Sequence, residues 1–536
     1  MSLRRATCYK ISVPTIVAEG VAPVSIHNPP ARPWLWLLLP SLSDCLLIAF
    51  LLLLFAFGGG WSTLLADGDT GWHLRTGEHI LAAKRVPTVD LYSFSKPGQP
   101  WYAWEWAADV IFSVIHHYAG LRGLVFLSGL ALCLAGITLF RYMLWRGAAV
   151  QIALVMSILV MEVAKIHFLA RPHLFTFVLI PITLWIIDRD IRNPTRATWL
   201  LVPIAALWTN LHGGFLILIT ALFLFTTVFG VFAFITGKDA LQKKRFWRFA
   251  GLSLACTAAT LVNPYGYGLY VHIVPYLQSD WIKNMIQEFQ SPQFRSESLR
   301  KFELLLFLGL CFVPALLRRG HAPFALLILA WAHAALTSVR HVPVYAFVAA
   351  APIASELTFL WRRWTGGASA KSVLGVLRDM FDGLTVHAQR TSIWAPVFVI
   401  CLYSFTPVQS WPTDFPDVKF PSKMMAKHKS TWIAEPVSKR IFSSDSWGGY
   451  LIYHLYPHRN VFMDGRSDFY GPELGKKYFC FKSACDEWPA LVDEFAFDTV
   501  LIPRAWPLSG ALRRDARWKV MDEDELAVWF ERSSLR

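Results

Sequence analysis

Apolar runs of membrane-spanning length recur along most of this chain, and no other feature constrains its fold as strongly. A helix needs about 17 to 25 predominantly apolar residues to cross the hydrocarbon core of a bilayer. Runs that approach or reach that length lie at 42–58, 121–144, 148–164, 173–187, 197–210, 213–236, 248–262, 302–317, 321–338, 341–360 and 392–409. Of the 536 residues, 55% are hydrophobic and only 16% charged, too few charges to coat a soluble body of this size. A polytopic membrane protein in the lipid bilayer is expected. The net charge of +14 would point to nucleic acid in a soluble protein, but here Lys and Arg gather in short loops between the apolar runs. The positive-inside rule assigns those loops to the cytoplasm, so the excess is topological and no nucleic-acid partner is expected.

The basic loops at Arg141/Arg146, Arg189/Arg192/Arg196, Lys238–Arg248, Arg318/Arg319 and Arg362–Arg390 share one side on a single condition. Residues 103–119 must not span. That segment is short and carries Glu105, Asp109, His116 and His117 with Trp104 and Trp106 at one end, the pattern of a helix lying in the membrane interface. Residues 59–120 then form one long outer loop with two surface helices, near 70–84 and 103–119, joined by the Lys96-Pro97-Gly98-Gln99-Pro100 turn. The expected architecture is an all-α polytopic domain of about eleven spanning helices. A cytoplasmic tail occupies 1–33, the membrane domain 34–409, and a small extracytoplasmic α/β domain 410–536. Arg4-Arg5 reads as part of an uncleaved signal anchor with its N-terminus inside.

In the C-terminal region, short β-like runs occur at 440–442, 450–453, 460–463 and 499–502, with a closing hairpin from Trp518 to Arg532. Helical stretches near 471–481 and 485–496 separate them. Five of the eight cysteines lie in apolar runs as small hydrophobes, whereas Cys480 and Cys485 are close enough to pair if this region is outside the cell.

Polar groups near a bilayer are costly and tend to mark a site. On the outer side they include Asp67, Asp69 and His73; Glu105 and Asp109; Glu162, Lys165, His167, Arg171 and His173; Asn210 and His212; Glu288; and Arg340 with His341. Asp67 and Asp69 are flanked by Gly68 and Gly71, so they sit on a turn where both carboxylates can approach one cation or one hydroxyl. Their simpler reading is a cap, from Asp69 or Thr70, on the surface helix that follows. Glu105, between Trp104 and Trp106, is either a second catalytic or metal-binding carboxylate or the wet face of an interfacial helix. Arg171-Pro172-His173 and Arg340-His341 put guanidinium and imidazole groups at helix ends, where they can hold a lipid phosphate or snorkel to ordinary headgroups.

One spanning helix, a long outer loop that opens on Asp67-Gly68-Asp69, many further spans and an outer C-terminal domain together resemble the GT-C superfamily of integral membrane glycosyltransferases. That superfamily includes protein O-mannosyltransferases, lipid A aminoarabinose transferases and the catalytic subunit of oligosaccharyltransferase. The resemblance covers roughly residues 34–360, and its local motif is the acidic pair alone. An uncharacterised bacterial branch is resembled by Trp72-His73-Leu74, Trp104-Glu105-Trp106, Ala170-Arg171-Pro172, Asn210-Leu211-His212-Gly213-Gly214 and Trp447-Gly448-Gly449-Tyr450. Ser446–Tyr450 followed by Asp464-Gly465-Arg466 also loosely resembles the Trp-Trp-Asp-Tyr-Gly acceptor region of oligosaccharyltransferase, without its central Asp. Otherwise Trp447–Tyr450 reads as a glycine-rich turn entering a strand and Asp464-Gly465 as an ordinary turn.

The resemblance implies a polyprenyl-phosphate sugar donor, a lipid, glycan or protein acceptor outside the cell, inversion at the anomeric carbon, and residence in a bacterial inner membrane. A phosphate leaves readily, so the enzyme must deprotonate an acceptor hydroxyl and neutralise the departing phosphate. Asp69 or Asp67 is the expected base, with Glu105 as a further catalytic carboxylate. His73, Arg171, His173, Asn210, His212, Arg340, His341 and Trp447 are the expected substrate contacts. Whether Asp67 and Asp69 instead bind Mg²⁺ or Mn²⁺ stays open, because hard oxygen ligands suit those ions and two carboxylates do not make a site alone. Two rival classes remain. A transporter would place ionisable residues near the bilayer midplane in related halves, and a non-catalytic scaffold of envelope assembly would keep the architecture without turnover.

Overall fold

The computed structural model describes residues 37–533 apart from 58, 59, 237, 238, 389 and 391. The tail 1–33 with Arg4-Arg5, and the basic-loop residue Lys238, lie outside the described residues. Every one of the apolar runs is helical. The helices are Leu42–Leu52 with a π-helical continuation to Phe57, the second half of Trp106–Trp145, Val150–Ala164, His173–Arg192, Leu201–Leu211, Phe215–Thr236, Ala240–Ala259, Glu297–Arg318, Ala322–Thr337, Val342–Thr365 and Trp394–Phe405. Among the described residues, four segments are long and apolar enough to cross a membrane by length and composition: Trp106–Trp145, Val150–His167, Phe215–Thr236 and Val339–Thr365. The chain is thus a multi-pass membrane protein.

Tight helix packing comes from small residues. Ala346, Ala349, Ala350, Ala351 and Ala354 on Val342–Thr365 are fully buried, letting neighbouring backbones approach. The Tyr345 hydroxyl reaches Leu305 O on the next helix at 3.3 Å, in the space that Gly309 leaves open. The outward faces stay apolar, with Phe234, Leu254 and Phe405 strongly exposed, as lipid-facing surfaces require.

Gly120 adopts φ 60° and ψ −163° inside Trp106–Trp145 and breaks it into two helices. The break falls between the segment 103–119 and the apolar run that begins at 121. Before it, the helix packs on Asp69–Ala83, where Gly77 lets the Asp109 backbone come close.

The C-terminal region holds a four-stranded sheet of β1 (Arg440–Ser443), β2 (Phe497–Pro503), β3 (Trp518–Glu523) and β4 (Ala527–Arg532) in the order β1-β2-β4-β3. β1 and β2 are parallel, and the other pairs are antiparallel. Phe442, Phe462, Phe481 and Phe497 form its aromatic core. Helices Ser467–Ser483 and Trp488–Phe495 stand where helices are expected, and Cys480 and Cys485 are disulfide-bonded with Cα atoms 5.0 Å apart.

Two expected strands differ. Residues 450–453 lie inside the helix Asp445–Leu455, because Trp447, Tyr450, Leu451 and Leu455 repeat at helical spacing and all four are buried. Residues 460–463 form no ladder, but Val461 bridges Ser93 of the outer loop on one side and Ile441 of β1 on the other. Phe94 N donates to Val461 O at 3.0 Å and Val461 N to Tyr92 O at 2.9 Å, so the first outer loop and the C-terminal domain share backbone hydrogen bonds.

Candidate active site

The turn at Asp67–Asp69 is held from three directions. Asp67 Oδ1 accepts a hydrogen bond from Asp69 N at 2.9 Å, and the N-cap position of the helix Asp69–Ala83 is Gly68, so neither Asp69 nor Thr70 caps it. The Thr70 hydroxyl instead donates to Ala170 O at 3.0 Å, while Ala170 N donates to Leu64 O at 2.7 Å, tying the turn to the segment that carries Arg171. From the third side the C-terminal domain closes on it through glycines. Gly449 meets the Gly68 carbonyl, Gly71 meets the Gly449 carbonyl, and Gly465 lies directly on the Asp69 carboxylate, each with no room for a Cβ. Asp464-Gly465 is therefore an inter-domain contact and more than an ordinary turn.

Asp67 and Asp69 line a cavity of about 650 Å³. Its walls come from the outer loop, from the ends of the membrane helices at His173, His212, Arg340 and His341, and from residues 463–468 of the C-terminal domain. Arg171 bridges the acidic pair, with Nη1 2.9 Å from Asp67 Oδ2 and Nη2 3.1 Å from Asp69 Oδ2. The same Nη1 lies 3.6 Å from Glu288 Oε1. Burial, and then the charge of Asp67, raise the Asp69 carboxyl to about 8 against the pull of Arg171. Glu288 is held below the usual carboxylate range, because Arg171, His167 and Arg340 outweigh its burial.

Glu105 also faces the cavity, between two imidazoles. His73 Nε2 is 3.8 Å from Glu105 Oε2 and His212 Nε2 is 3.5 Å from Glu105 Oε1. Burial raises Glu105 to about 7, with Arg171 and Arg340 opposing the rise. His73 is fully buried behind this wall, its Nδ1 2.6 Å from Asp109 Oδ1, and burial pushes its imidazole well below the ordinary range. His212 Nδ1 shares a hydrogen bond of 2.8 Å with Thr176, which is itself held by Trp208 Nε1.

Arg340 stands apart from the carboxylates. Nη1 donates to the Tyr276 hydroxyl at 2.9 Å and the guanidinium lies 4.4 Å from the Phe289 ring centre. Among the described residues it makes no ion pair with an acid within 4.0 Å. His173 Nε2 donates to His167 O at 2.7 Å, and His341 Nδ1 donates to Ala334 O at 3.2 Å; both imidazoles line the cavity.

Not every expected residue faces this space. Asn210 accepts from Trp106 Nε1 and donates to Ala206 O and Val262 O, a linkage between helices outside the cavity lining. Trp447 is buried with its Nε1 donating to Lys419 O. His73 is not itself in the cavity lining and reaches it through Glu105 and Asp109. Glu162 pairs with Lys301 at 2.8 Å and not with Lys165.

The cavity also gathers residues that no local pattern marks. Tyr276 and Asp468 line it, and Asp468 Oδ2 lies 3.0 Å from His272 Nε2. Arg466 is buried among Trp72, Trp101 and Tyr92, with Nη2 2.7 Å from Asp464 and Nη1 2.8 Å from Asp90. That pairing fastens the first outer loop to the C-terminal domain. Only the pairing of Asp464 and Arg466 at i and i+2 in a glycine turn hints at it in the sequence.

No protein-family model matches the chain, and no curated protein matches it in sequence. Solved structures do. ArnT from Cupriavidus metallidurans bound to undecaprenyl phosphate is 12% identical with a TM-score of 0.47, over 91% of this chain and 97% of that one. The archaeal oligosaccharyltransferase AglB from Archaeoglobus fulgidus, in complex with an inhibitory peptide and a dolichol-phosphate, is 13% identical with a TM-score of 0.53, over 86% of this chain and 69% of that one. The same enzyme tethered to an acceptor peptide gives 13% identity and a TM-score of 0.53 over 86% and 68%. Over 86% of its length the chain therefore shares the fold of the AglB structure, a helical membrane part with a long loop after the first helix and a capping C-terminal domain.

Proposed function

We propose that the chain is a membrane glycosyltransferase that moves a sugar from a polyprenyl-phosphate donor to an acceptor outside the cell, in a bacterial inner membrane with its C-terminal domain on the outer side. One observation carries this reading: a buried carboxyl with its pKa raised to about 8, Asp69, and an arginine that makes no ion pair with an acid among the described residues, Arg340, line the same cavity between the membrane helices and the C-terminal domain. A base works best when its pKa lies near the working pH, and a desolvated guanidinium with free donors suits a phosphate. The dolichol-phosphate bound to AglB supports a lipid phosphate as partner.

In this mechanism the Asp69 carboxylate takes the proton of the acceptor hydroxyl as its oxygen attacks the anomeric carbon. The glycosidic bond to phosphate breaks on the opposite face, giving inversion, and the polyprenyl phosphate leaves against Arg340. Glu105, between His73 and His212, holds or releases a proton at the same wall. The aromatic rings of Trp104, Tyr276 and Phe289 exclude water from that side.

The test is transfer of radiolabelled sugar from a polyprenyl-phosphate donor to membrane extracts. Wild type is expected to label an acceptor, and Asp69→Asn to lose at least about 100-fold of that rate, the lower range of general base catalysis. No transfer with any donor, while substrate flux across vesicles is retained, would replace the enzyme with a transporter.

A further inference from the structure

We infer that the Arg171 guanidinium takes the place between Asp67 and Asp69 that a divalent cation would need, so that this acidic turn is neutralised by the protein itself and works without a bound metal. Asp67 and Asp69 from one turn and Glu288 from another loop all present carboxylate oxygens, the donors a hard cation uses, within 3.6 Å of the Arg171 guanidinium. The centre between them is filled by Arg171, at 2.9 Å from Asp67, 3.1 Å from Asp69 and 3.6 Å from Glu288.

Arg171 is not a side chain that has wandered in from the surface. Its neighbour Ala170 is fully buried and hydrogen-bonded through both backbone groups to the turn, N to Leu64 O at 2.7 Å and O from the Thr70 hydroxyl at 3.0 Å. Pro172 then restricts the backbone on the other side. The arginine is thus delivered by hydrogen bonds to the very turn whose carboxylates it bridges. A guanidinium stays charged throughout the accessible pH range and spreads its donors in a plane that fits two carboxylates at once.

A second cation in this centre would have to displace those contacts and then stand beside the displaced positive charge. Three of the nearby imidazoles are engaged elsewhere, and the fourth, His167, lines the cavity with its Nδ1 without a hydrogen-bond partner among the described residues. His73 points to Glu105 and Asp109, His173 is hydrogen-bonded to His167 O, and His212 to Thr176. Among the described residues, the one group of three His, Cys, Asp or Glu side chains with ligand atoms close enough to hold a metal is Cys480, Cys485 and Glu487, in the C-terminal domain, where the two cysteines are disulfide-bonded. Asp67 and Asp69 therefore do not fit the role of Mg²⁺ or Mn²⁺ ligands while Arg171 is present. Arg171 acts as a positioning residue that fixes both carboxylates, which leaves Arg340 as the cation for phosphate.

The inference concerns what fills the turn and does not rest on the transferase reading. It is tested by titrating Mn²⁺ into the purified full-length protein and following bound and free ion by electron paramagnetic resonance. Wild type is expected to show no stoichiometric site. Arg171→Gln and Arg171→Met, which leave three carboxylates around an empty centre, are each expected to gain one Mn²⁺ per chain, lost again when Asp69→Asn is added. Melting curves and gel filtration identify which of the two variants is folded. A stoichiometric wild-type site abolished by Asp67→Asn would overturn the inference, and so would a folded Arg171 variant that gains no site. A wild type with neither transfer activity nor a Mn²⁺ site would keep the inference and remove the proposed function.

Discussion

At the scale of residues, the site works by desolvation. Burial and the charge of neighbouring Asp67 raise Asp69 to about 8, while Arg171 and the Trp72 side chain oppose the rise. The catalytic form of a base is the deprotonated one, so activity should increase with pH until Asp69 is ionised. Glu105 is raised to about 7 by burial, so if it must release a proton a second and lower inflection is expected. Arg340 should act differently from both. Its loss removes charge-assisted hydrogen bonds of about 1.5 to 3 kcal/mol, so Arg340→Gln is expected to weaken binding of polyprenyl phosphate by about 10-fold to about 100-fold. A filter or native mass spectrometry titration checks this, and unchanged binding would place the phosphate elsewhere.

At the scale of elements, the C-terminal domain completes the site through backbone contacts. The helix Asp445–Leu455 rests on the start of the helix Asp69–Ala83 through Gly68, Gly71 and Gly449. Residues 463–468 cover the Asp69 carboxylate, with Gly465 against it and Arg466 anchored to Asp464 and Asp90. A methyl group at Gly465 would overlap the Asp69 side chain. Gly465→Ala is therefore expected to reduce transfer strongly, with a stability loss of about 1 to 3 kcal/mol typical of overpacking; activity measured beside a thermal melt separates the two effects. Arg466→Ala would leave Asp464 and Asp90 buried without their partner. It should cost about 3 to 5 kcal/mol by the usual effect of breaking a buried pair, read as a large drop in melting temperature. These elements also mark the limit of sequence reading. Tyr450–Tyr453 is a short aromatic and aliphatic run like a strand, but the longer spacing from Trp447 to Leu455 is helical and prevails once that face is buried.

At the scale of the whole molecule, the helix inventory was legible because spanning runs and their basic flanks follow directly from the bilayer. Among the described residues the eleven apolar runs all form helices, and Gly120 breaks the helix Trp106–Trp145 just before the run that begins at 121. The acidic turn, Glu105 and Arg171 were legible as a set because they cluster at the ends of those runs. Their partners were not. Tyr276, Asp464, Arg466 and Asp468 come to the cavity from segments far apart in sequence, and no periodicity links them to Asp69. Asn210 and Trp447 sit in motifs that look chemical, yet their polar atoms are spent on holding helices and loops together. The topology carries its own prediction. Arg85→Cys and Ser430→Cys, both at exposed positions, should react with a membrane-impermeant thiol reagent in spheroplasts, and Lys371→Cys should not. Protection at 430 would reverse the orientation.

The central claim is that Asp69 is the base of a sugar transfer in this cavity, and the most direct test is the rate of polyprenyl phosphate release from a polyprenyl-phosphate sugar, measured for wild type and Asp69→Asn from about pH 6 to about pH 9. The wild-type rate should rise with pH and level off near 8, and the Asp69→Asn rate should stay near background throughout. A flat wild-type profile together with an Asp69→Asn variant that turns over at the wild-type rate would contradict the account.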